Sequence, residues 1–278
     1  MNQPAKTARI QSYDIYRGLL LAAMVVFHIL VNLTPLRFDQ HFFYWVPMGF
    51  VTFLGVILAR FLQGKTSKKL SLALKVLACF VILNIPNYLR PKFNFWALIK
   101  GDQAILSFEI LMPMALLIFA SILFDRFAGS RSQAAPGNSF ISASGAALTL
   151  STIIILNFSG FYSYNLAFLL YGIFGYFIAK NTNLHQIAEK PTPLLTVICI
   201  LLTAAPFILL YFGYFFDFLF LIQVFATYLL LGKILPQNNT LAFLGRHSFS
   251  IYVGHILIIK LISLFLLIIG QHTHMPLN

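Results

Sequence analysis

Acidic residues are nearly missing from this sequence. Seven Asp and Glu stand against 19 Lys and Arg in 278 residues, and the four types together reach only 9%, where a soluble domain carries about a quarter. Hydrophobic residues make up 59%, including 30 Phe, and the mean hydropathy is +0.85. So little polar surface does not cover a water-soluble core, and the excess apolar side chains are expected to face lipid. Cysteine is equally scarce. Cys79 and Cys199 lie far apart inside apolar runs, which excludes a disulfide framework and a zinc spacing and leaves them as small buried hydrophobes. There is no G-x-S-x-G elbow, no phosphate-cradling Gly loop and no metal-ligand cluster, so no metal is expected. No internal repeat of fixed period is visible. The length suits a single polytopic domain over 1–278.

A span needs about 20 mostly apolar residues. On that measure the fold class is an all-α integral membrane protein, a bundle of about nine transmembrane helices. They are expected near 15–33, 42–62, 70–88, 104–124, 140–158, 165–179, 193–212, 214–232 and 248–270. The third is interrupted by Lys75, Asn84, Pro86 and Asn87, and Phe93–Ile99 would make a tenth, re-entrant or interfacial piece. Lys6 and Arg9 precede the first run as in a signal peptide. That run, however, is long enough to span, contains Arg17 and His28, and is followed by no small-residue cleavage site, so it reads as a retained helix.

The formal net charge of +12 would suit nucleic acid in a soluble protein. Here the cations lie in short loops, where they set topology and touch anionic headgroups, and nucleic acid drops out as a partner. A cytoplasmic N-terminus puts Lys6, Arg9, Arg60, Lys65, Lys68, Lys69, Arg126, Arg131, Lys180, Lys190, Lys233 and Arg246 on one side. Only Arg37 and the Arg90, Lys92 and Lys100 connection dissent. The expectation is a multi-pass protein of the cytoplasmic membrane with its N-terminus inside.

Ionisable groups inside lipid cost at least ~2.5–3.5 kcal/mol at mid-membrane, which makes each one a functional question. The first span holds the densest set. Arg17 and His28 are eleven residues apart, almost three turns, so they share a face and are separated by roughly 16 Å along the axis. Asp14 and Asn32 extend the same stripe. Asp14 and Arg17 alone would be a headgroup anchor; His28, deep in the span with no sequence neighbour to satisfy it, is not so explained. In the last span Ser248, Tyr252 and His255 fall at i, i+4 and i+7 on one face, suited to lining a site or to interhelical hydrogen bonding. Glu109 stands four residues before Pro113, whose missing N–H leaves the Glu109 carbonyl without its helical donor. His41, beside Asp39 and Gln40 in the first outer loop, is either interfacial or the outer edge of a site.

Two of these signatures resemble a known family. Arg17-x10-His28, set in Ser12-Tyr13-Asp14-Ile15-Tyr16-Arg17-Gly18, resembles the first-helix motif of the transmembrane acyltransferase superfamily, which holds the acyltransferase-3 and heparan-glucosaminide N-acetyltransferase-like proteins. Val46-Pro47-Met48-Gly49-Phe50-Val51-Thr52-Phe53-Leu54-Gly55 looks like its second helix, and Leu244-Gly245-Arg246-His247-Ser248-Phe249-Ser250-Ile251-Tyr252-Val253-Gly254-His255 like its last-helix signature. The matches fall at the two ends of the chain, and such proteins typically have ten or more helices.

The resemblance implies transfer of an acyl group, acetyl above all, from cytoplasmic acyl-CoA to a carbohydrate or glycolipid acceptor at the far side of the membrane. It implies Arg17 holding the donor through charge-assisted hydrogen bonds and His28 as general base. Asp14 and Glu109 are counted with the catalytic set, and Asn32, His41, Ser248, Tyr252 and His255 with the site lining. Membrane lipid is the expected surrounding, and a homo-oligomer is compatible with the pattern. The rival reading is a multi-pass transporter or flippase for a small anionic or lipid-linked substrate, which intramembrane Arg, His and Glu would also suit.

Overall fold

The computed structural model describes residues 11–33, 43–89, 96, 110–129, 137–159, 163–182, 184–189, 192–214, 216–234 and 238–273. Among them there is no strand, and the longer elements are α1 (Gln11–Leu33), α2 (Trp45–Arg60), α3 (Thr66–Tyr88), α4 (Leu111–Gly129), α5 (Gly137–Ser159) and α6 (Tyr164–Asn181). After the short α7 (Leu184–Glu189) come α8 (Pro193–Tyr211), α9 (Asp217–Ile234), the short α10 (Asn239–Arg246) and α11 (Ser248–Thr273). The apolar runs of the sequence thus overlap α1–α6, α8, α9 and α11; the fourth run, expected at 104–124, has 104–109 outside the described residues, and its helix continues to Gly129. Their hydropathy gives no notice of α7 and α10, whose composition is mixed.

Helix starts and stops follow local chemistry. Thr192 caps α8 by accepting from the Leu195 N–H at 3.2 Å, with Pro193 in the first turn, where its missing donor costs nothing. Asn238 caps α10 in the same way through the Leu241 N–H at 2.9 Å. Gly64 (φ 68°) and Gly213 (φ 81°) supply the left-handed residues that turn α2 into α3 and end α8. Because α4 begins at Leu111, Pro113 sits in its first turn; Glu109 lies outside the described residues.

Gln11–Leu30, Ser142–Ser159 and Pro193–Tyr211 are long and apolar enough to cross a membrane, and α10 with α11, bent by 79°, adds a fourth if the pair is one broken span. At 16 residues, α2 measures about 24 Å, short of a ~30 Å hydrocarbon core. α3 carries Lys68, Lys69 and Lys75, which lowers its apolar character.

Two helix pairs approach so closely that only glycine fits between them. A Cβ at Gly55 would lie 2.0 Å from the Gly172 carbonyl oxygen, and one at Gly175 would lie 2.1 Å from that of Thr52, which binds α2 to α6. Likewise a Cβ at Gly18 would meet the Leu241 carbonyl oxygen at 2.0 Å, and one at Gly245 that of Asp14 at 1.8 Å, which seats α10 against α1. This is small-residue packing of the kind membrane bundles use. Around it, the Tyr16 hydroxyl donates to the Val224 carbonyl at 2.8 Å. Tyr13 stacks on Tyr228 at 5.4 Å and meets Phe61 edge-on, so α1, α2 and α9 form the centre.

The outer surface is apolar and much of the polar inventory is inside. α8 buries only Cys199 and Pro206, while Leu194 is 70% and Leu201 63% exposed. Thr52, Asn84, Asn87, Ser121 and Gln223 are buried. A surface of this kind matches a hydrocarbon solvent rather than water.

Candidate functional site

α1 and α11 are joined by two polar rungs. At the first, Arg17 donates from Nη2 to the Ser248 hydroxyl, and Ser248 itself is buried. At the second, His28 Nδ1 lies 2.9 Å from His255 Nε2, with the rings stacked at 5.2 Å and 20°. Arg17 and His28 from the first span therefore meet Ser248 and His255 from the last, about 230 residues later in the chain. Tyr252 stands between the rungs: it is buried, and its ring is edge-on to His255 at 5.6 Å.

The hydrogen bonds assign the protons of the histidine pair. His255 Nδ1 is 3.0 Å from the Ile251 carbonyl, and a carbonyl only accepts, so Nδ1 carries the hydrogen. In the neutral ring Nε2 then holds the lone pair and accepts from His28 Nδ1–H. That leaves the lone pair of neutral His28 on Nε2. The two rings cannot both be imidazolium and keep the bond, because all four nitrogens would then be donors. While that bond is kept, the pair takes up at most one proton beyond its two neutral rings.

Beside the Arg17 rung lies a cleft of about 40 Å³, lined by Arg17, Ser248 and Tyr252 on its polar side and by Phe50, Leu54 and Met114 among its apolar residues. A space of that size holds water. His28 and His255 are not part of its lining; Tyr252 is the residue shared by the cleft and the histidine pair.

Asp14 is buried, and its backbone carbonyl supports Gly245 of α10. Asn32 belongs to α1 one turn beyond His28, but its side chain is outside the description. His41 and Glu109 lie outside the described residues altogether. Among those residues, no group of three or more His, Cys, Asp and Glu is placed to hold a metal ion. No family model matches the chain, and neither a curated protein nor a solved structure does.

A second polar cluster was not anticipated from the sequence, where Lys69 counted only toward topology. Lys69, fully buried, meets Asp125 at 3.0 Å. The same carboxylate accepts from the Gly64 N–H at 2.7 Å and from the Tyr176 hydroxyl at 2.6 Å. Lys180 sits over the Tyr176 ring at 5.1 Å. Burial by itself would raise the Asp125 carboxyl, but the bonds from Tyr176, Gly64 and Lys69 outweigh it and hold the group below its ordinary value. Burial pulls the Lys69 amine down by more than Asp125 restores. The carboxylate ties α4 to the α2–α3 turn, α3 and α6. A pair 56 residues apart leaves no local signal; the scarcity of acids was the one hint that Asp125 had a specific employment.

Proposed function

We propose that the chain is a multi-pass membrane acyltransferase with nine spanning helices and a cytoplasmic N-terminus, moving an acyl group from acyl-CoA to a carbohydrate or glycolipid acceptor. The observation that carries this reading is the relay from the Ile251 carbonyl through His255 to His28. It supplies what a general base needs: a fixed tautomer and orientation, held through an acceptor on its Nδ1–H, the place that a carboxylate takes in a serine-protease triad. In the proposed step the acceptor hydroxyl or amine attacks the thioester carbonyl and His28 Nε2 takes its proton. The carbon–sulfur bond then breaks, and the proton passes to the departing CoA thiolate. Asn32, Tyr252 and Ser248 are the side chains of this stripe that would donate to the oxyanion that forms in between. Arg17, held by Ser248 one rung away, would grip the donor's anionic part.

Purified protein in detergent should consume acetyl-CoA and release free thiol slowly in water, faster with a sugar acceptor. His28→Ala should lower that rate by ~10²–10⁴-fold while donor binding persists. A wild-type protein that neither binds nor turns over any acyl-CoA would sink the enzyme reading. Proton-coupled transport is the competing reading, favoured by a histidine pair that takes a single proton. It requires substrate-driven proton movement in sealed vesicles without thiol release.

A further inference from the structure

The outer face of α3 changes along its length. Beside the exposed Leu70, Ser67, Lys68, Ser71, Leu74 and Lys75 are exposed over its first three turns, and Ala78, Ile82 and Ile85 are exposed beyond them. At 100° per residue these positions stay within about a third of the helix circumference, one stripe that begins cationic and continues apolar. Two open grooves run along it and share Ser67, Ser71 and Lys75. The second reaches Leu74 and Ala78. Lys69 points the other way, into its bond with Asp125, so the two exposed lysines are not part of that pair. The helix sequence contains no acid, and α3 packs closely only on α4 among the described helices.

We propose that this stripe binds one anionic diacyl phospholipid, its phosphate between Lys68 and Lys75 with the Ser67 and Ser71 hydroxyls, and an acyl chain along Ala78, Ile82 and Ile85. This rests on the membrane reading above, with the Thr66 end of α3 at the cytoplasmic surface. The dimensions suit the ligand: Lys75 to Ile85 is ten residues, about 15 Å of helix, which is half of a ~30 Å hydrocarbon core and hence the depth of one leaflet. A free phosphate would use the cations and hydroxyls but gain nothing from the apolar ladder below them. A zwitterionic lipid would use the ladder but leave two lysines without net compensation.

The test uses the full chain in mild detergent, stripped of lipid and titrated with dioleoylphosphatidylglycerol or dioleoylphosphatidylcholine, with bound lipid counted by intact-complex mass spectrometry. The expected result is one retained phosphatidylglycerol at several-fold tighter binding than phosphatidylcholine, weakened as salt rises. Lys68→Gln with Lys75→Gln should reduce it to the phosphatidylcholine level. Lys75→Gln alone, a single exposed change, should weaken it partway if the double variant proves unstable. Equal retention of the two lipids, undiminished binding in both variants, or displacement by equimolar inorganic phosphate would each overturn the proposal. In liposomes, a chain that stays out of the bilayer defeats the membrane reading and this site with it. A chain that inserts but shows no lipid preference defeats this site alone.

Discussion

At the scale of single residues, the pairing of His28 with His255 converts two intramembrane oddities into one device. On the proposed mechanism His255 does not have to touch substrate to matter, since its bond to His28 Nδ1 sets which nitrogen of His28 is basic. His255→Ala is therefore expected to lower kcat and change its pH profile while leaving the donor KM in place. The fall should be smaller than in His28→Ala, because the base itself remains. A purely structural His255 would alter melting temperature and leave the pH profile alone. Lys69 offers a second residue-scale case. With its side chain fully buried and Asp125 7% exposed, Lys69→Met leaves the carboxylate without its counter-charge, holding only the Gly64 and Tyr176 bonds, and should cost up to about 3–5 kcal/mol, with part of it recovered when Asp125 is also made apolar. Since the folded Asp125 carboxyl titrates below its ordinary value, its contribution is fully present above the unfolded carboxyl's pKa. It fades as pH falls through the lowered value. Thermal melts across pH 2–6 should show that slope in wild type and not in the double variant.

At the scale of elements, glycine decides how the helices meet. Gly245→Ala would place a Cβ 1.8 Å from the Asp14 carbonyl oxygen. Backbone cannot swing aside as a side-chain tip can, so α10 should lift from α1 at an expected cost of about 1–3 kcal/mol. Because α11 follows α10 directly after the 79° bend, the same change should disturb the Arg17–Ser248 and His28–His255 rungs and lower activity together with stability. Gly254, whose added Cβ meets nothing within 4 Å, is the control: Gly254→Ala should be neutral or stabilising in a melt, because alanine favours the helix. The sequence pattern located the long helices by their apolar runs, since the hydropathy of about 20 neighbouring residues is a local property. It did not locate α10, an eight-residue piece whose existence depends on the Asn238 cap and on docking to Gly18.

At the scale of the whole molecule, the proposed nine-span topology makes a direct prediction. A cysteine placed at Gln63 should react with an impermeant maleimide only from the cytoplasmic side, and one at Gly213 only from the opposite side; same-side labelling would refute the arrangement. The sequence by itself determined that the chain is helical and rich in membrane-length apolar segments, and which polar residues are out of place in them. Those conclusions need only composition and neighbours within a few turns. Which polar residues meet was decided by tertiary structure. Asp14, Arg17 and His28 share a helix face by arithmetic, yet Arg17 joins Ser248 and His28 joins His255 only because α10 docks on α1 through Gly18 and Gly245 and then bends away. The Lys69–Asp125 pair likewise depends on α3 lying against α4. Periodicity reports which face of a helix is polar; the partner of that face is set by close approach between backbones far apart in the chain.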